Sequence, residues 1–324
     1  MKKIPFRADG RLRALRRGVM GVLASSLLLA PSVATADKEF QDGTIRFGVP
    51  PWPGLTVKTA VVSSLFETLG YETQTKNVGN AIAFQGVANR NLDAFMGYWS
   101  PNMDSMVQKY IDAGSVEVIA DNVDDAESGI AVPEYVWNEG VHSITDLDSK
   151  RERFDSKLFG IEEGSGLNKI FRNAIDNDTA GLGDWKLVPS STSGMLLAVE
   201  RAYDKKEWVA WGAWSPHWMI KAYDARILSN PSEDGLLKSS VTIKTLVPTG
   251  LKEFDENAWR LLKQVRLSQA TQSAWIYEYD RQDRDLDEVV STWIADNPDT
   301  VAGWLEGVKT RSGESAIEVV RAAY

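Results

Sequence analysis

The segment WVAWGAWSPHW, residues 208–218, is the strongest structural signal in this chain of 324 residues. An apolar run of strand length ends there at Trp214, and a turn containing proline follows. Two more runs end in the same way: IRFGVPPWPG (45–54) at Trp52 and DAFMGYWSP (93–101) at Trp99. The repeated pattern predicts three indole rings at the carboxyl ends of three strands.

Tryptophans at strand ends are well placed to form a binding pocket. In an open α/β sheet, ligands lie outside the carboxyl ends of the strands. Indole faces that converge there attract a quaternary ammonium group through cation–π interaction. Three core tryptophans that happen to close strands are the alternative interpretation. We also interpret the Ser-Pro pairs at 100–101 and 215–216 as an N-cap and a first-turn proline, which predicts that helices begin there.

The first 36 residues have the features of a secretory signal. Seven basic residues precede the apolar segment GVMGVLASSLLLA, and Ala34-Thr35-Ala36 matches a cleavage site. The pair Arg16-Arg17 suggests twin-arginine export, but the residues around it favour ordinary secretion. We therefore predict a signal peptide at 1–36 and a periplasmic location.

Charge and cysteine content exclude several classes of protein. Without residues 1–36 the chain carries 29 Lys and Arg against 44 Asp and Glu, a net charge of −15, which argues against a nucleic-acid partner. The chain has no cysteine, so thiolate metal sites and cysteine nucleophiles are excluded. It also has no H-x-x-H motif, and we expect neither a metal nor a cofactor.

Strands and helices alternate along the chain from Thr44, which predicts an α/β fold. Two alternating units are followed by a mostly helical stretch that needs a sheet to pack on. We therefore predict two lobes, each a sheet flanked by helices, with crossover segments near 125–130 and 238–246. In this prediction the first lobe combines 37–126 with 241–324, and the second lobe is 127–240.

Several short segments resemble the periplasmic glycine betaine and choline-binding proteins of ABC transporters. They occur in the order found in that family: GIEEG (160–164), SSTSGMLLAVERA (190–202), WSPHWM (214–219), WIADNP (293–298) and WLEGV (304–308). The resemblance covers essentially the whole chain after residue 36. It implies a two-lobe periplasmic binding protein, or Venus flytrap, that closes on a small methylated amine. It also implies delivery to the permease and ATPase subunits of a transporter, and we expect the binding protein to be a monomer.

The resemblance assigns an aromatic cage to the same three tryptophans. Family members hold the trimethylammonium group between aromatic rings, and Trp52, Trp99 and Trp214 lie at the matching positions. Choline-binding members have an acidic residue two positions after the first cage tryptophan and a tyrosine in the first strand of the second lobe. Here those positions are Gly54 and Ser128, which weakens a choline assignment. For the fourth wall of the cage three candidates stay open: Trp218, Trp137 and Trp211. Trp211 is three residues before Trp214, which predicts that it lies on the opposite face of the strand.

The histidine of WSPHWM is a candidate to bind the end of the ligand opposite the trimethylammonium group. In betaine-binding members with this turn, the histidine can reach the substrate carboxylate, and His217 is one of only two histidines in the chain. A helix beginning at this point would also favour an anion. Gly164, Ser165 and Gly166 open a helix after a strand and are candidates to supply further N–H donors. The alternative is that His217 only makes hydrogen bonds within the turn and does not contact the ligand.

These residues favour glycine betaine as ligand, then trimethylamine N-oxide, with carnitine or choline after them. A glycosidase or a carbohydrate-binding module is the competing class. Glu162 and Glu163 are adjacent on one strand and point to opposite faces, so they cannot flank a glycosidic bond as an acid/base pair. Ser165 lacks the G-x-S-x-G pattern of a nucleophile elbow. We therefore predict no catalytic residues.

Overall fold

The computed structural model describes residues 43–231 and 237–324. The segment predicted to be a signal peptide, 1–36, lies outside the described residues. The described chain is a mixed α/β structure, as the sequence predicts, and it has two hydrophobic cores. One core draws its side chains from residues 45–126 and 241–320, and the other from 130–237 together with Ile276. The exact lobe boundaries 37–126, 127–240 and 241–324 stay a prediction.

Strands and helices alternate in the first part of the first core. Its elements are β1 (Thr44–Val49), α1 (Pro53–Thr68), β2 (Glu72–Asn77), α2 (Asn80–Ala88), β3 (Phe95–Ser100) and α3 (Asp104–Asp112). Strands β1 and β2 pair in parallel. Helix α1 begins at Pro53, whose ring presets the first-turn backbone. It ends just before Gly70, whose φ of +89° is a backbone conformation that glycine adopts without a steric penalty.

Two long antiparallel strands connect the cores. Strand β4 (Val116–Pro133) pairs with β9 (Lys238–Pro248) from Val116 opposite Pro248 to Gly129 opposite Lys238, with three register shifts. Both predicted crossover segments lie within these strands. The first half of β4 is not evident from the sequence, because the acidic segment DNVDDAE (121–127) interrupts its apolar alternation.

The second core is built around strands β4 to β8. The elements after β4 are α4 (Glu134–Trp137), β5 (Lys157–Phe159), α5 (Gly166–Asp176), β6 (Lys186–Val188), α6 (Thr192–Lys205), β7 (Ala210–Ser215), α7 (Met219–Ala222) and β8 (Ala225–Ile227). The larger sheet has the order β3-β9-β4-β7-β5-β6, and β8 also pairs with β4. The strand β7 therefore lies beside β4, next to the crossover.

The last part of the chain is helical and returns to the first core. Its helices are α8 (Leu251–Phe254), α9 (Glu256–Gln264), α10 (Gln269–Ile276), α11 (Leu286–Asp296), α12 (Pro298–Trp304) and α13 (Ala316–Ala323). Trp275, Trp293 and Trp304 form an aromatic cluster among them, with ring centroids 4.8 and 5.3 Å apart. Side chains of these helices also join the first core, where α10 and α11 pack against α1.

The prediction that helices begin at the two Ser-Pro pairs is wrong. Ser100 is the last residue of β3 and pairs with β9, and Ser215 is the last residue of β7 and pairs with β4. Because the strand ladder holds both serines in an extended conformation, the helices begin only after the turns, α3 at Asp104 and α7 at Met219. Both Ser-Pro peptide bonds are cis.

Candidate ligand-binding site

Three tryptophans from distant parts of the sequence line one cavity between the two cores. Trp52 is the N-cap residue of α1, Trp99 lies near the end of β3, and Trp214 lies near the end of β7. All three line the same cavity, whose empty space, including its mouth, is about 660 Å³. The strand-end pattern in the sequence thus identified three residues that the fold brings together.

The rest of the cavity wall is mainly apolar. Its apolar members include Pro53, Leu55, Met103, Ile161, Leu167 and Ile276. No Asp or Glu lines this cavity among the described residues. A bound cation would therefore meet aromatic faces instead of a carboxylate, and any negative charge in the site has to come from the ligand itself.

His217 also lines the cavity, and its imidazole is buried. Its Nδ1 accepts a hydrogen bond of 3.1 Å from the backbone N–H of Met219, which leaves the proton of the neutral ring on Nε2. Within the described structure Nε2 is buried and has no hydrogen-bond partner. Burial lowers the pKa of His217 to about 3, so the ring stays neutral near pH 7. His217 therefore offers one unused N–H donor.

Of the three small residues at the start of α5, two line the cavity and one does not. Ser165 and Gly166 line the cavity, and the Ser165 hydroxyl accepts a hydrogen bond from the N–H of Asn168, as an N-cap does. Gly164 does not line the cavity, and its carbonyl accepts a hydrogen bond from Asn80. The N-terminus of α5 thus approaches the site, whereas Gly164 does not.

None of the three candidates for a fourth aromatic wall lines the cavity. Trp211 is completely buried in the second core, on the strand face opposite Trp214. The indole N–H of Trp218 donates to Asp280 at 2.8 Å, and Trp137 packs against His142 with ring centroids 4.6 Å apart. Among the described residues, the tryptophans that line this cavity are therefore Trp52, Trp99 and Trp214.

Gln272 and Lys58 are buried polar residues at the cavity that the sequence analysis did not identify. Gln272 of α10 is 3 % exposed, and its side-chain Oε1 has no partner within the described residues. Lys58 of α1 is 1 % exposed, and its ammonium group donates to Asn122 at 2.7 Å. Lys58 is the single charged residue in the first two turns of α1, which are otherwise mainly apolar. A lone charge among apolar residues was the signal in the sequence that could have identified Lys58 as a buried polar residue.

Ser128, at the position where choline-binding members have a tyrosine, belongs to a closed polar network. Its hydroxyl accepts from Asn102 at 2.7 Å and lies 3.2 Å from the hydroxyl of Ser239. Ser239 in turn donates to the side-chain amide oxygen Oδ1 of Asn102 at 2.8 Å. These hydrogen bonds join the loop after β3 to both long strands, so Ser128 has a structural role at the cavity wall.

Hydrogen bonds cross the cavity mouth and hold the two sides together. The indole N–H of Trp52 donates to Glu162 at 3.0 Å. Four further side-chain contacts join the same two parts of the chain: Asn80 to Gly164 (3.3 Å), Lys169 to Ser105 (3.1 Å), Trp218 to Asp280 (2.8 Å) and Arg281 to Glu200 (3.2 Å). These hydrogen bonds join the two sides of the cavity directly.

Comparison with known proteins agrees with this architecture. The chain belongs to the family described as the substrate-binding domain of ABC-type glycine betaine transport systems, whose model, OpuAC, matches residues 43–296. The fold is that of the two-lobe periplasmic binding proteins. Among the described residues, none of the helices combines the length and the apolar character needed to cross a membrane.

Two solved structures illustrate the similarity. An ABC-transporter choline binding protein in complex with choline is 27% identical with a TM-score of 0.82, and the match covers 87% of this chain and 98% of that one. Lactococcal OpuAC in its closed, glycine betaine-bound conformation is 29% identical with a TM-score of 0.74, covering 81% and 99%.

The chain is also similar in sequence to a bacterial transport binding protein. The glycine betaine/carnitine transport binding protein GbuC of Listeria monocytogenes is 29% identical over 175 residues, which is 53% of this chain. The match spans 57% of the length of GbuC, a little over half of that protein.

Proposed function

We propose that this protein is the substrate-binding component of an ABC importer and that it captures glycine betaine. In this proposal it is a periplasmic monomer that delivers its ligand to the permease and ATPase subunits. The proposal depends on one observation above all: Trp52, Trp99 and Trp214 meet at one cavity that no carboxylate lines among the described residues. The family supports the class of protein, and the cavity supports the choice of ligand.

The aromatic rings can supply most of the binding free energy. A desolvated cation–π contact contributes about 2 kcal/mol, so three rings contribute roughly 6 kcal/mol. Micromolar affinity corresponds to about 8 kcal/mol. An acidic partner for the cation is therefore unnecessary, and burying one would add its own desolvation cost.

The polar end of the cavity favours a ligand that carries its own negative charge. His217 offers a neutral N–H donor, and the N-termini of α1 and α5 approach the site with their positive dipole ends. Choline brings only a hydroxyl, and each buried donor left unpaired costs about 1–3 kcal/mol. Trimethylamine N-oxide is the second candidate, because its oxygen sits directly on nitrogen and reaches less far from the cage. Carnitine and choline follow.

We also propose that ligand closes two lobes, 37–126 with 241–324 and 127–240, about the crossovers in β4 and β9. The hydrogen bonds across the cavity mouth, such as Trp52 to Glu162, would form on closure. Small-angle scattering with and without saturating betaine tests this step. We expect a smaller radius of gyration with ligand, and an unchanged radius would contradict lobe closure.

Tryptophan fluorescence distinguishes the proposed class from its competitor. We expect a saturable change in emission when the protein is titrated with glycine betaine, because three of its indoles would contact the ligand, and no change with a neutral sugar. A saturable response to the sugar and none to betaine would instead indicate a carbohydrate-binding module or a glycosidase.

A further inference from the structure

Gln272 occupies an unusual position in the cavity wall. It lies on α10, which packs through Trp275 into the first core, and it lines the cavity together with Ile276 of the same helix. The side chain is 3 % exposed, and its Oε1 has no partner within the described residues. A buried amide with an unpaired atom is destabilising, so a polar partner is expected in the functional state.

The side chain of Gln272 fills the space beside the first turn of α1. A Cβ atom added at Gly54 would lie 3.0 Å from Nε2 of Gln272 and 2.9 Å from Cδ1 of Ile276. The absence of a side chain at position 54 therefore lets the amide approach the helix N-terminus next to Trp52. Rotation of the amide by 180° exchanges its oxygen and nitrogen, so it can present an N–H donor at either position.

We propose that Gln272 binds the anionic group of the ligand through its side-chain N–H and thereby sets the preference for a zwitterion over a simple cation. The inference rests on the proposed function. Gln272 and His217 then supply one donor each from opposite sides of the cavity, since His217 follows β7 of the second core. No Asp or Glu among the described residues lines the cavity and competes for these donors.

Charge reversal at this position tests the proposal. A carboxylate in Gln272→Glu repels an adjacent anionic group and attracts an adjacent cation. We expect betaine affinity to fall by about tenfold or more, whereas choline affinity is unchanged or higher. Gln272→Met, which keeps the length of the side chain, should weaken betaine by about tenfold and choline by less. Both are measured by calorimetry, with thermal unfolding as a check on folding.

Ala274→Glu is the control, because Ala274 lies on the same helix, is exposed and lies outside the cavity lining. We expect this variant to bind both amines as the unmodified protein does. If the unmodified protein binds betaine and both Gln272 variants bind it equally well, Gln272 has no role and the proposed function stands. Stronger binding of betaine and choline by Gln272→Glu would place the cation beside position 272 and overturn the inference. An unmodified protein that binds neither amine would overturn the inference together with the proposed function.

Discussion

The indole Nε1 of Trp52 donates a 3.0 Å hydrogen bond to the Oε2 atom of Glu162, 110 residues away in the sequence. The same carboxylate accepts hydrogen bonds from the N–H and the hydroxyl of Thr192 at the start of α6. Trp52 belongs to the first core, and Glu162 follows β5 of the second. A carboxylate held at a helix N-terminus thus fixes a ring of the proposed cage from across the cavity.

The first prediction concerns this contact. Glu162→Ala should lower betaine affinity by about tenfold or more, because a hydrogen bond to a charged group contributes about 1.5–3 kcal/mol and this one holds a ring of the proposed cage. Glu163→Ala is the control, since Glu163 is exposed and pairs with Arg172 on its own side of the cavity. Calorimetry that finds equal affinities for the two variants would contradict the assigned role.

The second prediction concerns the cage. Replacing Trp52, Trp99 or Trp214 by Ala should weaken betaine binding by about tenfold or more in each case, because each change removes roughly 2 kcal/mol of cation–π contact. Conversion to Phe should cost less. Trp208→Ala serves as a control, because Trp208 packs on Phe154 and Arg153 away from the cavity. If two of the three folded Ala variants bind normally, the cage lies elsewhere.

The third prediction concerns His217 and pH. Burial lowers the pKa of His217 to about 3, so its neutral N–H donor persists well below pH 5. We expect His217→Ala to weaken betaine by about tenfold, and choline much less, by the same factor at about pH 5.5 and about pH 8. His142→Ala, which alters the other histidine, should leave affinity unchanged. A penalty that appears at only one of the two pH values would contradict a neutral donor.

The fourth prediction concerns stability. Burial lowers the pKa of Lys58 from 10.5 to about 7, so between these values the unfolded chain binds a proton that the folded chain has released. The free energy of unfolding should therefore rise with pH across this window through Lys58, and Lys58→Met should lose that part of the rise. Denaturant unfolding at about pH 7 and about pH 10 measures it, with the exposed Lys76→Met as control. A difference between unmodified protein and Lys58→Met that does not change with pH would contradict a buried, titrating lysine.

Much of the fold could be read from local patterns. Proline at the first turn of α1, glycine after it and the serine caps of α5 and α6 are local signals, and the structure has those helix boundaries within a few residues. The two Ser-Pro pairs were wrongly predicted to begin helices, because the same dipeptide can cap a helix or end a paired strand. Pairing with another strand decides between these two structures, and the residue that pairs with Ser100, Thr242, lies more than a hundred residues away in the sequence.

The candidate site was predictable in part for the same reason. The tryptophans are marked by strand ends, which are local, so Trp52, Trp99 and Trp214 were found. Gln272 was missed, because nothing near it in SQATQSAWIYEYD distinguishes a cavity-facing polar residue from a solvent-facing one. Trp211 was a candidate for the cage, but the strand alternation that separates it from Trp214 directs it into the core.

A single calorimetric titration of the purified protein with glycine betaine, trimethylamine N-oxide and choline tests the central claim most directly. We predict saturable binding of betaine that is tighter than that of the N-oxide, with choline weakest, because only betaine has a carboxylate at a distance from its trimethylammonium group. Tighter binding of the N-oxide or of choline would contradict the assignment of a betaine carboxylate to the polar end of the cavity. Absence of binding for all three amines would contradict the proposed cage itself.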